Sequence, residues 1–490
     1  MKKEDLKNKV EDYILNKTKN EDFLGISKID SLKLLNKNRF DVVAKYIYAK
    51  SVKNNLALNW SKLLYKEHIR ALNSFHESSN NKKSFGDFLS SFNELVRSIE
   101  KNGFDENKSL LPVGDNLNPI NGAHRLGASL AYGKSISYVK IKKDTFKYNF
   151  EYLKKQGLDD EYLDNMALEY GKLKKDFHTA IVFPIVLEKI DKIKEILTEY
   201  GDIFYIKKIF LTRNGVHNLV MQMYRDHEWA KEKENKNFSK TLHHSYNRFV
   251  ANKEITVFFI ESTNVKKMKE AKAKIRQLFN KGNYPIHISD DNEESLRISG
   301  QVLNRNSIHF LNNAVRKNSD KFYTMFDRFN SWILENNYNI DDFCIDSSSV
   351  LVAYGLRDAK DLDYLSLHEV KCDRDDIDFH NNEVSKYVDS INDLICDPRK
   401  YFYYNGFKFL TLASLRRIKK KRGELKDKKD IKLIDSVLER GNLLKIIIDK
   451  IRYYSLVFVG FIIYFARRYT PKIIFPYVKG VYRFFKKIIK

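Results

Sequence analysis

The stretch from Ile345 to Leu365, IDSSSVLVAYGLRDAKDLDYL, constrains this chain more than any other. Its order of apolar, small and acidic residues predicts a buried strand ending in a serine run. A short helix, a Gly-Leu-Arg turn and a second strand carrying Asp361 and Asp363 follow. Alternation on a strand puts residues i and i+2 on one face, so the two carboxylates point the same way, close together. Like charges held so close repel unless one is protonated. A hard divalent cation relieves them, and with carboxylate and phosphate oxygens as ligands the expected ion is Mg²⁺. Taken alone, the Asp-Leu-Asp triplet is more simply read as a solvated acidic turn.

The surroundings change that reading. Ser347 to Ser349, followed at close range by Gly355, Arg357 and the acidic pair, resemble the signature of the nucleotidyltransferase superfamily. The resemblance implies a mixed sheet in which Asp361 and Asp363 hold metal. It also implies that Ser348, Ser349 and Arg357 meet the phosphates of a nucleoside triphosphate. Ser348 and Ser349 stand where that family usually has at least one glycine. A second piece, Phe407 to Ile434, resembles the segment after the core in the antitoxin-system and minimal branches, with a basic helix and then Lys426, Asp427 and Asp430. The family usually has a third carboxylate on a later strand. Ile377-Asp378-Phe379 makes Asp378 the candidate, with Asp376 and Glu369 as substitutes, acting as general base or second-metal ligand. Lysines 419 to 421 read either as polyphosphate contacts or as a solvated basic face.

At 490 residues the chain is too long for one ordinary core, and about three domains are expected. The net charge of +24 points to an anionic partner: nucleotide, nucleic acid, phosphorylated glycan or an acidic membrane face. A lysine- and asparagine-rich composition also has a blander source in an AT-rich genome. The three cysteines, Cys344, Cys372 and Cys396, show no metal-ligand spacing and suit a reducing compartment. The opening MKKEDLKNKVEDYILNK lacks an apolar core after its charges and does not read as a secretory signal.

Residues 1 to 110 show mainly helical periodicity, broken at Ser78 to Ser84. Leu110 to Ile141 then reads as strand, turn, a helix opened by Asn121-Gly122-Ala123-His124-Arg125 and ended by Gly133, and a strand from near Ile136. Glycine before a helix start lets backbone amides face an anion, and His124 and Arg125 add donors beside the positive end of the dipole. The blander reading makes His124 a capping residue and Arg125 a surface cation. The stretch resembles the ParB/sulfiredoxin-like superfamily. That resemblance implies nucleotide-phosphate contact by Gly122, His124 and Arg125, without the redox chemistry, because Ala123 replaces the cysteine. Upstream, Arg39, Asp41, Lys45 and Tyr46 lie at helical spacing and read as a structural ion pair.

Between Asp176 and Asn306, strand and helix patterns alternate as in a ferredoxin-like sandwich. Ser289 or Asp290 is the expected cap of the helix beginning near Asn292, with Glu293 completing a capping box. A fainter resemblance to the nucleoside diphosphate kinase fold rests on Ile275-Arg276, Phe279 and His287 with Ser289 and Asp290. There His287 reads as a structural or ligand-contact histidine more readily than as a phosphoryl carrier. From Leu443 the chain carries eleven lysines and arginines against one aspartate, interleaved with aromatic and branched residues. The uncharged run Tyr453 to Ala466 is 14 residues long, shorter than the roughly 17 to 25 needed to span. A membrane-surface anchor is expected, and a buried helix pair or oligomer contact is the alternative.

The sequence therefore predicts an α+β multidomain protein. It would comprise a ParB/sulfiredoxin-like domain (1–172), a ferredoxin-like domain (176–306), a nucleotidyltransferase-like domain (307–440) and a basic amphipathic helical tail (441–490). The expected activity is Mg²⁺-dependent nucleotidyl or phosphoryl transfer from a nucleotide. Its acceptor would be a surface-glycan or lipid-linked molecule at the cytoplasmic membrane face. Two alternatives stay open: a nucleic-acid-binding or nucleic-acid-modifying defence protein, and an ATP-dependent phosphotransferase centred on the N-terminal domain.

Overall fold

The computed structural model describes residues 3–439 apart from 57, 78–81, 144, 231–237, 263, 316, 318 and 389. The expected anchor at 441–490 lies outside the described residues. The described chain is a mixed α/β structure with three open sheets.

The first sheet has the order β1-β3-β2, formed by β1 (Phe23–Asp30), β2 (Leu111–Val113) and β3 (Ser135–Ile141). β1 runs antiparallel to β3, and β2 runs parallel to it. Residues 3–110 are mainly helical, as their periodicity predicts, with β1 the one strand among the described residues of that stretch. β1 escapes notice because it is an edge strand with Leu24 and Ile26 about half exposed, so its sequence lacks an apolar alternation. Helix Ala123–Tyr132 lies between β2 and β3, entered at Gly122 with φ +87° and left at Gly133 with φ +61°.

The second sheet contains β4 (Phe177–Val182), β5 (Asp202–Ile209), β6 (Ile255–Glu261) and β7 (Ile286–Ile288), in the order β5-β6-β4-β7. Every neighbouring pair is antiparallel. Helices Ile190–Tyr200 and Val265–Phe279 cover one face, burying Ile193, Ile196, Leu197, Met268 and Ile275 against it. Helix Asn292–Val302 is capped by Asp291, which accepts from the Glu294 N–H, and Glu294 reaches back to the Asp290 N–H. The cap is thus Asp291 instead of the expected Ser289 or Asp290, and the expected box with Glu293 does not form, because Glu294 reaches the residue before the cap.

The third sheet contains β8 (Phe343–Ile345), β9 (Leu362–Ser366), β10 (Ile377–Phe379), β11 (Tyr401–Tyr404) and β12 (Phe407–Leu410), in the order β10-β9-β8-β12-β11. β9–β10 and β8–β12 are parallel pairs, and β8–β9 and β11–β12 are antiparallel. Helix Asp320–Glu335 lays Phe326, Phe329 and Trp332 against Phe343, Tyr364 and Phe407. The expected boundary at 306/307 falls inside helix Arg305–Asn313.

One apolar core runs through all three sheets, joining for instance Phe40, Tyr205 and Phe259 to Phe310 and Phe402. A half-buried ionic web adds to the junction. Lys172 meets Asp341 at 2.6 Å, Lys50 meets Glu169 at 2.9 Å, and Lys408 donates to the Asp341 carbonyl at 2.7 Å. No helix among the described residues is long and apolar enough to cross a membrane.

The turn that delivers the acidic strand depends on Gly355, whose φ is +69° and where a Cβ would run into the Val315 carbonyl oxygen. Gly355→Ala is expected to cost roughly 2 kcal/mol or more. A denaturation midpoint within error of the unsubstituted chain would show that the turn tolerates a side chain.

Candidate functional site

The site is built where β8, β9 and β10 end beside the serine helix. β8 leads into Asp346, whose backbone N–H donates to the Asp363 carbonyl at 3.0 Å and so locks the two segments together. Helix Ser347–Ala353 follows, opened by Ser347 at φ +51°. Asp361 immediately precedes β9, and Asp363 lies two residues on. In the parallel pair β9–β10, Asp378 sits directly opposite Asp363. One carboxylate oxygen from each of Asp361, Asp363 and Asp378 falls within 4.8 Å of the other two. The structure therefore brings together all three sequence-derived carboxylates, by alternation along one strand and register across to the next.

Two further residues that the sequence reading missed complete this centre. Asp346 is 1 % exposed and accepts from Nδ1 of His380 at 3.3 Å, and the Ser347 hydroxyl lies 3.4 Å from the same nitrogen. Asp346, Asp363 and His380 again bring one ligand atom each within 4.8 Å of one another. Burial pushes the Asp363 carboxyl up to about 7, helped by the charges of Asp346, Asp361 and Asp378 and opposed by His380. Burial alone would depress His380. The Asp346 hydrogen bond and the charges of Asp346 and Asp363 outweigh that and raise it to about 9.

Asp361, Asp363, Asp378 and His380 line a cleft of about 1090 Å³ together with Ser347, Ser348 and a basic wall that includes Arg357, Lys360, Lys419, Arg422 and Lys429. Several cations of that wall are already committed. The Arg357 fork closes on Asp430 at 2.7 and 3.0 Å, Lys419 is buried against Asp427 and Asp430, and Arg422 bonds Asp427. Arg357 and Lys419 thus line the cleft while engaged within the protein. Asp430 holds Arg357, and Asp427 and Asp430 hold Lys419, both acids lying on a later helix (Leu425–Leu438). Lys360 and Lys429 line the cleft with no ion pair among the described residues. Ser349 is fully buried and donates to the Asp361 carbonyl at 3.4 Å, so helical rotation places it behind the cleft, while Ser348 stays on it. Asp376 pairs with Arg328 at 3.0 Å and is spoken for.

The N-terminal turn lines a second cavity of about 500 Å³, and two of its side chains are bonded within the protein. The His124 Nε2 lies 2.8 Å from the Tyr65 hydroxyl, and burial together with Lys45 holds the ring well below its ordinary range and hence neutral. Arg125 pairs with Glu11 at 2.5 Å and with the Leu110 carbonyl. The expected phosphate donors at Gly122, His124 and Arg125 are thus at the cavity with His124 and Arg125 engaged within the protein. Arg39, Asp41 and Lys45, to which the sequence reading gave no role beyond an ion pair, form a buried trio on the same wall. In the middle region His287 is buried, 2.8 Å from Glu294, which fits the structural reading of that histidine.

Compared with protein-family models, with curated proteins and with solved structures, the chain gives no match.

Proposed function

We propose that this protein is a divalent-metal-dependent transferase that moves a nucleotidyl or phosphoryl group from a nucleoside triphosphate to a hydroxyl acceptor. The observation that carries the reading is the carboxylate centre of Asp361, Asp363 and Asp378 at the edge of a large cleft with a basic wall. The mixed five-stranded sheet supports a nucleotidyltransferase-like domain around it. The antiparallel order β5-β6-β4-β7, with two helices on one face, supports a ferredoxin-like middle domain. The strand, Gly122 turn, helix and strand of the N-terminal sheet support the ParB/sulfiredoxin-like reading.

The donor set suits a hard cation such as Mg²⁺. The Asp363 carboxylate is 9 % exposed, and among the described residues no hydrogen bond or ion pair engages it. A buried anion without a partner is costly, and here three further carboxylates share its surroundings. A bound divalent ion supplies charge neutralisation to the phosphates. Asp361 and Asp363 would hold it, with one Asp378 oxygen completing the set. Ser347 and Ser348 offer hydroxyls to the phosphates, and Lys360 and Lys429 offer ammonium groups with no ion pair among the described residues. Asp378, the most exposed of the three acids, stands at the cleft where an acceptor hydroxyl enters. There its oxygen not directed at the ion would take the proton as the oxygen–phosphorus bond forms and the bond to the departing pyrophosphate or nucleoside diphosphate breaks. The basic, aromatic composition of 441–490 supports a glycan or lipid-linked acceptor at a membrane face.

Binding of a Mg²⁺–nucleoside triphosphate is expected to weaken about 3- to 10-fold in Lys360→Ala and again in Lys429→Ala, each an exposed charge–charge contact. Calorimetric titration checks this. Unchanged affinity in the double variant would remove the nucleotide from this cleft.

A further inference from the structure

We infer that the cleft holds two cation positions of different chemistry: an all-oxygen one at Asp361, Asp363 and Asp378, and a nitrogen–oxygen one at Asp346, Asp363 and His380, with Asp363 shared. The inference rests on the reading of the cleft as a metal centre and adds a second, chemically distinct ion. Both triads place their ligand atoms within 4.8 Å of one another, a spacing that one ion can span. The shared member, Asp363, is the buried carboxylate with no hydrogen bond or ion pair among the described residues, and it belongs to both sets. A carboxylate has two oxygens and can serve one ion with each.

The second position is built into the fold more firmly than the first. Asp346 is 1 % exposed and follows β8 directly, and His380 follows β10 directly, so both ligands are fixed by strand ends. Backbone bonding reinforces this, since the His380 N–H donates to the Tyr364 carbonyl at 2.9 Å and the Asp346 N–H donates to the Asp363 carbonyl at 3.0 Å. The His380 Nδ1 lies 3.3 Å from an Asp346 oxygen, so the two ligand atoms already face one another. An imidazole donor shifts preference toward transition-metal ions, whereas three carboxylates suit Mg²⁺ or Mn²⁺. The second position therefore takes an ion such as Mn²⁺, Co²⁺ or Zn²⁺ in preference to Mg²⁺.

Equilibrium dialysis of the full chain against Mn²⁺, without nucleotide, tests this. Two ions per chain are expected, falling to one in His380→Ala and to one in Asp378→Asn. Asp363→Asn weakens both. Pulsed EPR of the Mn²⁺-loaded unsubstituted chain reads the ligand directly and depends on no variant's folding: a directly bound ¹⁴N is expected, and it persists in Asp378→Asn. One ion per chain with no nitrogen coupling overturns the second position and leaves the transferase reading standing. No bound ion at all overturns both.

Discussion

Asp363→Asn is expected to make the metal-free chain more stable and at the same time to abolish Mg²⁺-dependent transfer. The two effects have one cause. In the fold this carboxyl is pushed from its ordinary value of 3.8 up to about 7, first by burial and then by Asp346 and its other acidic neighbours. A raised acid pKa means that the folded state holds the proton more tightly than the unfolded chain. The group's contribution is therefore fully present below about 4 and is lost as pH rises through about 7. At pH 8 the ionised side chain opposes folding, and its removal should return on the order of 2 kcal/mol, less than an isolated acid would because neighbouring groups share the charge. Thermal melts in chelator at pH 5 and pH 8 provide the measurement. The unsubstituted chain should lose stability between them relative to the variant, and Mg²⁺ should restore the former only. A variant less stable than the parent at pH 8 without metal would mean that the carboxylate has a partner in the fold.

Asp41→Ala should give the largest loss of stability among single substitutions in the N-terminal half. Asp41 is 2 % exposed and carries two cations at once. Arg39 forms a two-pronged pair with it at 2.9 and 3.0 Å, and Lys45 lies at 3.3 Å. Among the described residues neither cation has another carboxylate partner. Removing the shared anion leaves two buried positive charges side by side, which costs about 3 to 5 kcal/mol. Burial already draws the Lys45 ammonium down to about 8 against the pull of Asp41, so loss of Asp41 drives the amine neutral near physiological pH. Lys45→Met in the Asp41→Ala background should recover part of the loss, because it removes the charge while keeping the stem's volume. Denaturant midpoints of the single and double variants decide this. A single variant within about 1 kcal/mol of the parent would show that water reaches the trio.

The acidic strand was legible because its signal is local. Asp361 and Asp363 are two positions apart, and Asp378 stands alone between apolar neighbours in a short strand that pairs beside theirs. The helix after Gly122 was legible for the same reason, since glycines with positive φ punctuate both ends. The strands and helices of the middle region also follow their apolar periodicity. Side-chain commitments between distant residues were not legible. His380 reaches Asp346 across 34 positions and Arg357 reaches Asp430 across 73, and nothing in the local pattern sets one acid apart from the others. His124 was expected at a phosphate because its turn is suited to one. Tyr65, 59 positions away, takes its ring nitrogen instead. Strand β1 was missed because half-exposed Leu24 and Ile26 erase its alternation.

The most direct measurement incubates the full chain with Mg²⁺, membrane extract and nucleoside triphosphates labelled in turn at the α- and γ-phosphate. Label is expected to pass to a glycan or lipid-linked product, from the α position for nucleotidyl transfer or from the γ position for phosphoryl transfer. It should vanish in Asp361→Asn and Asp363→Asn. Transfer that survives both substitutions but is lost in Arg125→Ala would contradict the account and place the chemistry in the N-terminal cavity.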